Sequence, residues 1–248
     1  MNNKNVFLIM GASSDLGTRL IENICEESKS EITIIAHYYS ACDRLEQIKQ
    51  RFPDINFIFM RADMANSKEV FAFIRRIKDN GISPNYIVDF CAREYCFRRF
   101  SEWDTEYVNI DMSIQVYAFA EVLKAFLPDM VKNAYGKIVV MLSAAIIGTP
   151  PKNLSAYLTV KYALWGLIKS IASDYGDSGI NINAISPSMI NTKFIKGIGR
   201  KIKEMSAAQN PRHKNLEVED VVPIILFLLS DKADFINGAN INLSARAD

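Results

Sequence analysis

Residues 6–17 read Val-Phe-Leu-Ile-Met-Gly-Ala-Ser-Ser-Asp-Leu-Gly. The five apolar residues predict a buried strand, Gly11 follows them directly, and Gly17 lies in the opening of a predicted helix. A strand, tight turn and helix at the start of a βαβ unit offer free backbone N–H groups to an anion. The alternative is a plain turn whose polar residues only cap the helix. Asp15 fits both interpretations, because a carboxylate is favourable in a first helical turn if its side chain points away from the ligand.

The rest of the chain alternates short apolar runs with longer segments of helical periodicity. Strands are predicted at residues 6–10, 32–36, 56–60, 86–90, 137–142, 180–185 and 239–243, and helices at 16–28, 67–80, 112–133, 155–175 and 218–230. Strands that are apolar on both faces and separated by helices indicate a parallel sheet with right-handed crossovers. The predicted fold is therefore α/β: a single-domain, doubly wound (Rossmann-type) seven-stranded parallel sheet with helices on both faces, spanning residues 1–248.

Composition narrows the class of protein. The chain has 248 residues, a formal net charge of +1, 49% hydrophobic and 23% charged residues, which is typical of a soluble globular protein. Near-neutral charge offers no field for nucleic acid or an anionic membrane, so small molecules are the expected partners. The four cysteines form no Cys-x-x-Cys pair, and the first apolar run is too short for a signal peptide or membrane span, so we expect a cytoplasmic location. With only two histidines, we expect neither a metal site nor a Ser-His-Asp hydrolase.

A second group of residues carries chemistry. Tyr157 and Lys161 are four residues apart in a predicted helix, so they project from one face, a spacing that is also common in surface pairs. Ser143 follows the strand at 137–142, at the edge where such sheets bind ligands. A phenol whose pKa is lowered by a nearby ammonium and an oxidised nicotinamide can exchange a proton with a carbonyl oxygen. Ser143 would then hold the substrate oxygen, and Lys161 could also bind ribose hydroxyls.

Together these motifs resemble the short-chain dehydrogenase/reductase family over nearly the whole chain, including its β-ketoacyl-carrier-protein reductases. Residues 11–17 resemble the family's Thr-Gly-x-x-x-Gly-x-Gly, residues 63–65 its adenine-contacting element, 186–192 its segment over the nicotinamide, and 211–221 its approach to the penultimate helix. The resemblance implies a catalytic tetrad of Asn109, Ser143, Tyr157 and Lys161. Asn109 would hold a water that links Lys161 to solvent; the alternative is a capping polar residue within a helix.

The same resemblance implies a set of cofactor contacts. They are Gly11, Ser13, Ser14, Asp15, Leu16, Gly17, His37, Ser40, Asp63, Met64, Cys91, Ala92, Tyr157, Lys161, Pro187, Ile190 and Thr192. The end of the second predicted strand, residues 36–40, has no acid to bind the ribose hydroxyls, and His37 or Ser40 could bond a 2′-phosphate. NADP is therefore the expected cofactor, with NAD as the alternative.

Two segments depart from the family pattern. The family's Asn-Asn-Ala-Gly is matched by Phe90-Cys91-Ala92-Arg93, which removes the asparagine side chains and affects cofactor affinity. Arg93 must also adopt a backbone conformation that glycine usually supplies, or the turn must differ. Residues 242–248 stand where relatives often have Asp-Gly-Gly.

The substrate side is predicted from residues 193–214, which form a flexible lid in the family, so we expect a lid at about residues 190–214. Seven cations there oppose the single acid Glu204, and they could attract an anionic substrate, such as one bound to a carrier protein, or form a solvated helix face. The apolar side chains nearby could form a pocket wall or ordinary core. They are Ile146, Ile147, Phe194, Ile195 and Ile198.

Three functions follow from these observations. The first is an NADP-dependent ketoreductase acting on acyl or similar biosynthetic ketones; the second is a dehydrogenase of a sugar, sterol or small alcohol. The third is a non-catalytic nucleotide-binding protein on the same fold, which the intact tetrad disfavours. The resemblance also implies a homotetramer or homodimer in which the helices at 112–133 and 155–175 pair across a two-fold axis.

Overall fold

A computed structural model describes residues 5–28, 31–94 and 97–245, and its centre is a parallel sheet of seven strands. The strands are β1 (Asn5–Met10), β2 (Ile32–Tyr38), β3 (Asn56–Arg61), β4 (Tyr86–Asp89), β5 (Gly136–Met141), β6 (Ile180–Pro187) and β7 (Asn240–Leu243). All seven predicted strands are confirmed, and the doubly wound fold with them. Cys96 and residues 246–248, which entered the sequence analysis, lie outside the described residues.

Eight α-helices connect or flank the strands in the described part of the chain. They are α1 (Asp15–Glu27), α2 (Asp43–Arg51), α3 (Ser67–Asp79), α4 (Thr105–Met112), α5 (Ala118–Asn133), α6 (Ser155–Asp174), α7 (Arg200–Gln209) and α8 (Val218–Leu229). A π-helix, Ser113–Tyr117, joins α4 to α5, so the single helix predicted at 112–133 is interrupted. The sequence analysis missed α2 and α7, because α2 buries only two residues and α7 buries none, which leaves no apolar stripe.

The core lies on both faces of the sheet. Leu8 and Met10 of β1 pack in the layer of α3, α5 and α6, whereas Phe7 and Ile9 pack in the layer of α1, α2 and α8. This alternation is why β1 is apolar at every position from Val6 to Met10. Among the described helices none is both long and apolar enough to cross a membrane.

Strand order positions the site. The sheet runs β3-β2-β1-β4-β5-β6-β7, so the order reverses between β1 and β4. Ligands of such sheets bind beyond the carboxyl ends of the strands at this reversal. The turn after β1 and the loops after β4, β5 and β6 therefore share one edge.

Candidate active site

The turn between β1 and α1 has the conformation that its glycines predict. Gly11 has a φ of 72°, and a Cβ there would lie 3.1 Å from the Phe90 carbonyl carbon. A Cβ on Gly17 would lie 2.6 Å from the Ala12 carbonyl oxygen, so only glycine fits this close approach. The Ser14 hydroxyl caps α1 by accepting from the Gly17 N–H at 3.0 Å. The first-turn amides of α1 lack an intrahelical carbonyl and suit a phosphate, so this turn fits a dinucleotide.

Asp15 is held by two partners that lie outside this turn. Its Oδ1 accepts from Arg44 Nη1 at 2.5 Å, and its Oδ2 accepts from the Lys193 backbone N–H at 2.7 Å. Burial acts to raise the pKa of Asp15, but the Lys193 hydrogen bond and the Arg44 guanidinium outweigh it and hold the pKa below its ordinary value. Both carboxylate oxygens are therefore hydrogen-bonded to groups outside the glycine turn, and Arg44 supplies the opposite charge.

The sequence predicted that His37 or Ser40 bonds a 2′-phosphate, but His37 is turned inward and Ser40 lies outside the main cavity. His37 is 2% exposed, its Nδ1 accepts from the Gly11 N–H at 3.1 Å, and its Nε2 pairs with the Ala62 carbonyl oxygen at 3.0 Å. Burial lowers the pKa of His37 to about 4, so the ring is neutral and braces the turn against β3. Ser40 is exposed and lies outside the lining of the main cavity.

Two residues that were not predicted from the sequence stand at this corner: Tyr39, directly after β2, and Arg61, at the end of β3. Tyr39 lines the main cavity, and the Arg61 guanidinium lies 5.9 Å from its ring centre. Arg61 ends β3 beside Tyr38, so a cation stands at this corner, and like Ser40 it is exposed and is not part of the cavity lining. Asp63 and Met64, predicted near adenine, line the same part of the cavity.

The loop after β4 differs from the predicted form. Neither Arg93 nor its neighbours at 90–94 have a positive φ, so the turn itself differs from the glycine-bearing one. Arg93 donates to Asp111 Oδ1 at 2.7 Å and to the Tyr107 carbonyl oxygen at 2.8 Å, which pairs its charge. The strand ends at Asp89, so the segment at 90–93 begins directly after β4.

Asp89 was not predicted as a site residue because it falls inside the strand predicted at 86–90, between Val88 and Phe90. It is 2% exposed, and its Oδ1 accepts from the Cys91 N–H at 2.9 Å. Burial raises the pKa of Asp89 to about 6, against the Cys91 hydrogen bonds and the charge of Lys161. Cys91 and Ala92 both line the main cavity, as predicted.

Ser143, Tyr157 and Lys161 converge on one wall of the main cavity. Ser143 follows β5, and its side chain is hydrogen-bonded to Tyr157 of α6. One turn further along α6, Lys161 Nζ donates to the Met141 carbonyl oxygen at 2.8 Å and lies 5.8 Å from the Tyr157 ring centre. The strand end therefore meets the helix face that the four-residue spacing predicted.

Burial dominates the protonation of this trio. It raises the pKa of Tyr157 to about 12, with Ser143 acting to lower it and Asp111 to raise it. It lowers the pKa of Lys161 to about 8, which the charges of Asp89 and Asp111 oppose. The chain's own groups thus keep the phenol protonated. The sequence predicted that Lys161 and a bound oxidised nicotinamide together lower the pKa of Tyr157, and with the cofactor bound this stays a prediction.

Asn109 does not join this trio. Its side chain is exposed on α4 and lines neither the main cavity nor the small one beside Tyr157. The buried amide of this region is Gln115, which is 2% exposed within the π-helix. In the described part of the chain, its Oε1 has no hydrogen-bond partner.

Gln115 shares a small cavity with Tyr157 and Asp111. The volume of this cavity is about 10 Å³, near the ~10–15 Å³ that one water molecule needs. A sequence signal for Gln115 existed: it precedes buried Phe119 and Val122 by four and seven residues, so it is a polar residue in an apolar helical stripe.

The main cavity has a volume of about 1380 Å³, which exceeds the ~300–1,000 Å³ of ordinary small-molecule sites. The structure brings most predicted site residues to its lining and leaves out Gly17, Ser40 and Asn109. The predicted residues that line it are Gly11, Ser13, Ser14, Asp15, Leu16, His37, Asp63, Met64, Cys91, Ala92, Ser143, Tyr157, Lys161, Pro187, Ile190 and Thr192. Phe194, Ile195, Ile198 and Ile147 also form its wall, whereas Ile146 belongs to the core.

Most of the basic cluster at 193–214 is turned to solvent. Of its seven cations only Lys193 lines the main cavity, and Arg200 pairs with Glu204 at 2.6 Å. This placement favours the solvated-face interpretation. In the described residues there is no group of three or more His, Cys, Asp or Glu side chains that could hold a metal.

Comparisons with known proteins agree with this geometry. A family model described as enoyl-(acyl carrier protein) reductase matches residues 23–245. The chain is 25% identical to a 3-oxoacyl-(acyl-carrier-protein) reductase of Staphylococcus aureus, covering 96% of this chain and 95% of the relative. It is 21% identical to a D-β-hydroxybutyrate dehydrogenase of Rhizobium meliloti, covering 95% of each. A 3-oxoacyl-(acyl-carrier-protein) reductase from Agrobacterium tumefaciens with NADP bound is a similar solved structure, with a TM-score of 0.85, 19% identity, and 98% and 94% coverage.

Proposed function

We propose that this chain, which belongs to the short-chain dehydrogenase/reductase family, is an NAD(P)-dependent oxidoreductase that transfers hydride between NADPH and a ketone. The observation that carries this proposal is the convergence of Ser143, Tyr157 and Lys161 on a cavity that extends to the glycine turn. Relatives named as an oxoacyl reductase and a hydroxybutyrate dehydrogenase support a ketone or CH–OH group as the reacting centre.

The roles of the three side chains follow from their placement. When bound, the nicotinamide supplies or accepts the hydride. Tyr157, which burial keeps protonated, donates its phenolic proton to the substrate oxygen in reduction and recovers it in oxidation. Ser143, hydrogen-bonded to Tyr157, orients that oxygen. The Lys161 ammonium, 5.8 Å from the Tyr157 ring, stabilises the phenolate that remains.

Proton supply to Tyr157 is assigned to Gln115 in place of Asn109. Gln115 Oε1 is a buried acceptor beside the small cavity that also borders Tyr157 and Asp111. A water held there would bond the Gln115 amide and return a proton to the phenolate. The exposed Asn109 has no access to this cavity.

The expected cofactor is NADP, with NAD as the alternative. The glycine turn and the first-turn amides of α1 would hold the pyrophosphate. Arg61, beside Tyr39 at the end of β2, would pair with a 2′-phosphate, although Glu69 lies 3.6 Å from its guanidinium. No acid occupies residues 36–42 to favour the unphosphorylated ribose.

We infer that the substrate is an acyl or similar biosynthetic ketone, on a carrier protein or free. A dehydrogenase of a sugar, sterol or small alcohol is the second candidate, which the hydroxybutyrate dehydrogenase relative favours. Residues 1–248 would act as a single domain in which about 190–214 serve as the lid. Exposed Tyr117 and Tyr162, on the π-helix and α6, support pairing of these helices in a homotetramer or homodimer.

The test combines cofactor binding with turnover. NADPH and NADH binding are measured by fluorescence, and a panel of ketones is then screened for NADPH oxidation. We expect Tyr157→Phe to bind NADPH as the unmutated chain does and to lose at least about a hundredfold in turnover. Tyr162→Phe is the matched control, because Tyr162 lies in the same helix and its hydroxyl donates to the Ile146 carbonyl oxygen. Failure to bind either cofactor would overturn the proposal.

A further inference from the structure

Asp111 is a buried carboxylate that lies beside the catalytic trio. It belongs to α4, its side chain is 8% exposed, and it lines the small cavity together with Tyr157 and Gln115. Burial dominates the pKa values of Tyr157 and Lys161, and beside burial the charge of Asp111 acts to raise both. A carboxylate is therefore close to the groups that hold and exchange the catalytic proton.

Arg93 holds this carboxylate in place. Its Nε donates to Asp111 Oδ1 at 2.7 Å, and its Nη2 donates to the Tyr107 carbonyl oxygen at 2.8 Å. The guanidinium also lies 4.0 Å from the Tyr107 ring centre. A cation that is itself fixed at two further points leaves the carboxylate little freedom to turn. The residue at which the sequence departs from the family's glycine therefore fixes the position of Asp111.

The second oxygen of Asp111 is available to another donor. Within the residues that the structure describes, Asp111 Oδ2 accepts no hydrogen bond, and Gln115 Oε1 has no partner either. Both residues line the small cavity, whose volume of about 10 Å³ is close to that of one water molecule. A water held there can donate to these two acceptors while it accepts from the Tyr157 hydroxyl, which satisfies the two to four partners that a buried water needs.

The small cavity also extends toward solvent. Glu94, which is exposed, and Arg98, whose side chain is 35% exposed, both line it. The titratable or charged side chains around the cavity are Arg93, Glu94, Arg98, Tyr107, Asp111 and Tyr157, and Lys161 acts on it from α6. Among the residues that line it, Asp111 is the one buried carboxylate. It is thus the group suited to accept a proton between the phenol and the surface.

We propose that Asp111 carries the proton between Tyr157 and solvent, with Arg93 as the residue that positions it. This inference rests on the proposed function. When an alcohol is oxidised, the Tyr157 O–H bond breaks as the water in the small cavity accepts that proton, and the same water gives one of its own protons to Asp111 Oδ2. Asp111 then releases the proton to solvent. In ketone reduction each transfer runs in reverse, so the Tyr157 phenolate regains its proton.

The test compares Asp111→Asn and Asp111→Ala with the unmutated chain, using the ketone that is reduced fastest in the screened panel. We expect kcat to fall at least about tenfold in both variants, with NADPH binding retained. The loss should grow as the pH rises, because solvent then supplies fewer protons. Added formate brings a carboxylate to the space that the alanine leaves, so it should restore part of kcat in Asp111→Ala only. Glu106→Gln, at an exposed position of α4, is the matched control.

The outcomes separate this inference from the proposed function. If no ketone is reduced by the unmutated chain, both fail together. If Tyr157→Phe loses turnover but Asp111→Asn keeps kcat within about twofold, the inference is overturned and the proposed function stands. A loss in Asp111→Ala that formate does not restore, with an equal loss in urea stability, would assign Asp111 a packing role and also overturn it. A fall in kcat for Glu94→Gln but not for Asp111→Asn would assign the proton path to Glu94 instead.

Discussion

At the scale of single residues, the site is governed by burial of groups that would be ionised in water. Asp89 ends β4 at 2% exposure, and Lys161 is 3% exposed on α6. Burial raises the pKa of Asp89 to about 6 and lowers that of Lys161 to about 8. Their mutual attraction opposes both shifts without cancelling them. Their charge states therefore change closer to neutrality than those of exposed residues of the same types.

Asp89→Asn should stabilise the fold at alkaline pH. Because the folded-state pKa of Asp89 lies above its ordinary value of 3.8, its contribution to stability is full at low pH and is lost as pH rises through about 6. We expect the variant to raise the free energy of unfolding by on the order of 1–3 kcal/mol at pH 8 and by about half as much at pH 5, where the carboxyl is protonated only in the folded state. Urea denaturation at both pH values measures this, with exposed Asp79→Asn as control. A variant less stable than the parent at pH 8 would show that the Lys161 attraction dominates.

Arg61→Ala should change the choice of cofactor. Its guanidinium lies beside Tyr39 at the end of β2, where a 2′-phosphate would lie. Losing one charge-assisted hydrogen bond should weaken NADPH binding about tenfold and leave NADH binding nearly unchanged. Fluorescence titration measures the ratio of the NADPH and NADH dissociation constants, and Arg75→Ala, at an exposed position of α3, is the matched control. Equal loss for both cofactors would contradict a role at the phosphate.

At the scale of elements, the π-helix between α4 and α5 decides which amide is buried beside the small cavity that borders Tyr157. The Ser113–Tyr117 segment turns Gln115 inward, and the chain before it leaves Asn109 exposed on α4. Single π-turns recur at functional sites because they change the direction of side chains within a helix. Periodicity alone predicts one continuous helix here and therefore misses this change.

Gln115→Leu should impair proton supply without disturbing cofactor binding. The change keeps the side chain near its volume and removes the amide, so we expect kcat to fall about tenfold and its pH profile to shift, with NADPH affinity retained. Gln115→Asn should restore part of kcat, and Asn109→Leu should have no effect. Stopped-flow pH profiles distinguish this role from a packing defect, which would lower stability but leave the pH profile unchanged.

At the scale of the whole molecule, Asp15 joins parts that are distant in the chain. Its carboxylate connects the cofactor turn to Arg44 of α2 and to Lys193 at the start of the expected lid. One carboxylate therefore couples the turn that would hold the cofactor to the segment that would cover the substrate. These partners account for a negative charge in a turn that would hold a phosphate.

Asp15→Ala should loosen the segment at 190–214. Losing the hydrogen bond to the Lys193 N–H should raise KM for the ketone severalfold and speed tryptic cleavage in that lysine-rich segment. Asp15→Asn keeps a hydrogen-bond acceptor, so its KM and its cleavage rate should lie between those of Asp15→Ala and the parent. Asp43→Ala, at an exposed position, is the control. Unchanged cleavage rates in Asp15→Ala would argue against this coupling.

The sequence by itself determined the strands, the glycine turn and the position of Ser143, Tyr157 and Lys161. These features depend on local periodicity, on the φ that glycine allows, and on the rule that parallel strands end at one edge. Only the tertiary structure decided that Gln115 lies inside and Asn109 outside, that His37 braces the turn, and that Arg61 approaches from β3. The reason is physical: the direction of a side chain and the charge it keeps depend on neighbouring elements far away in the chain, through burial and hydrogen bonds that no local pattern contains.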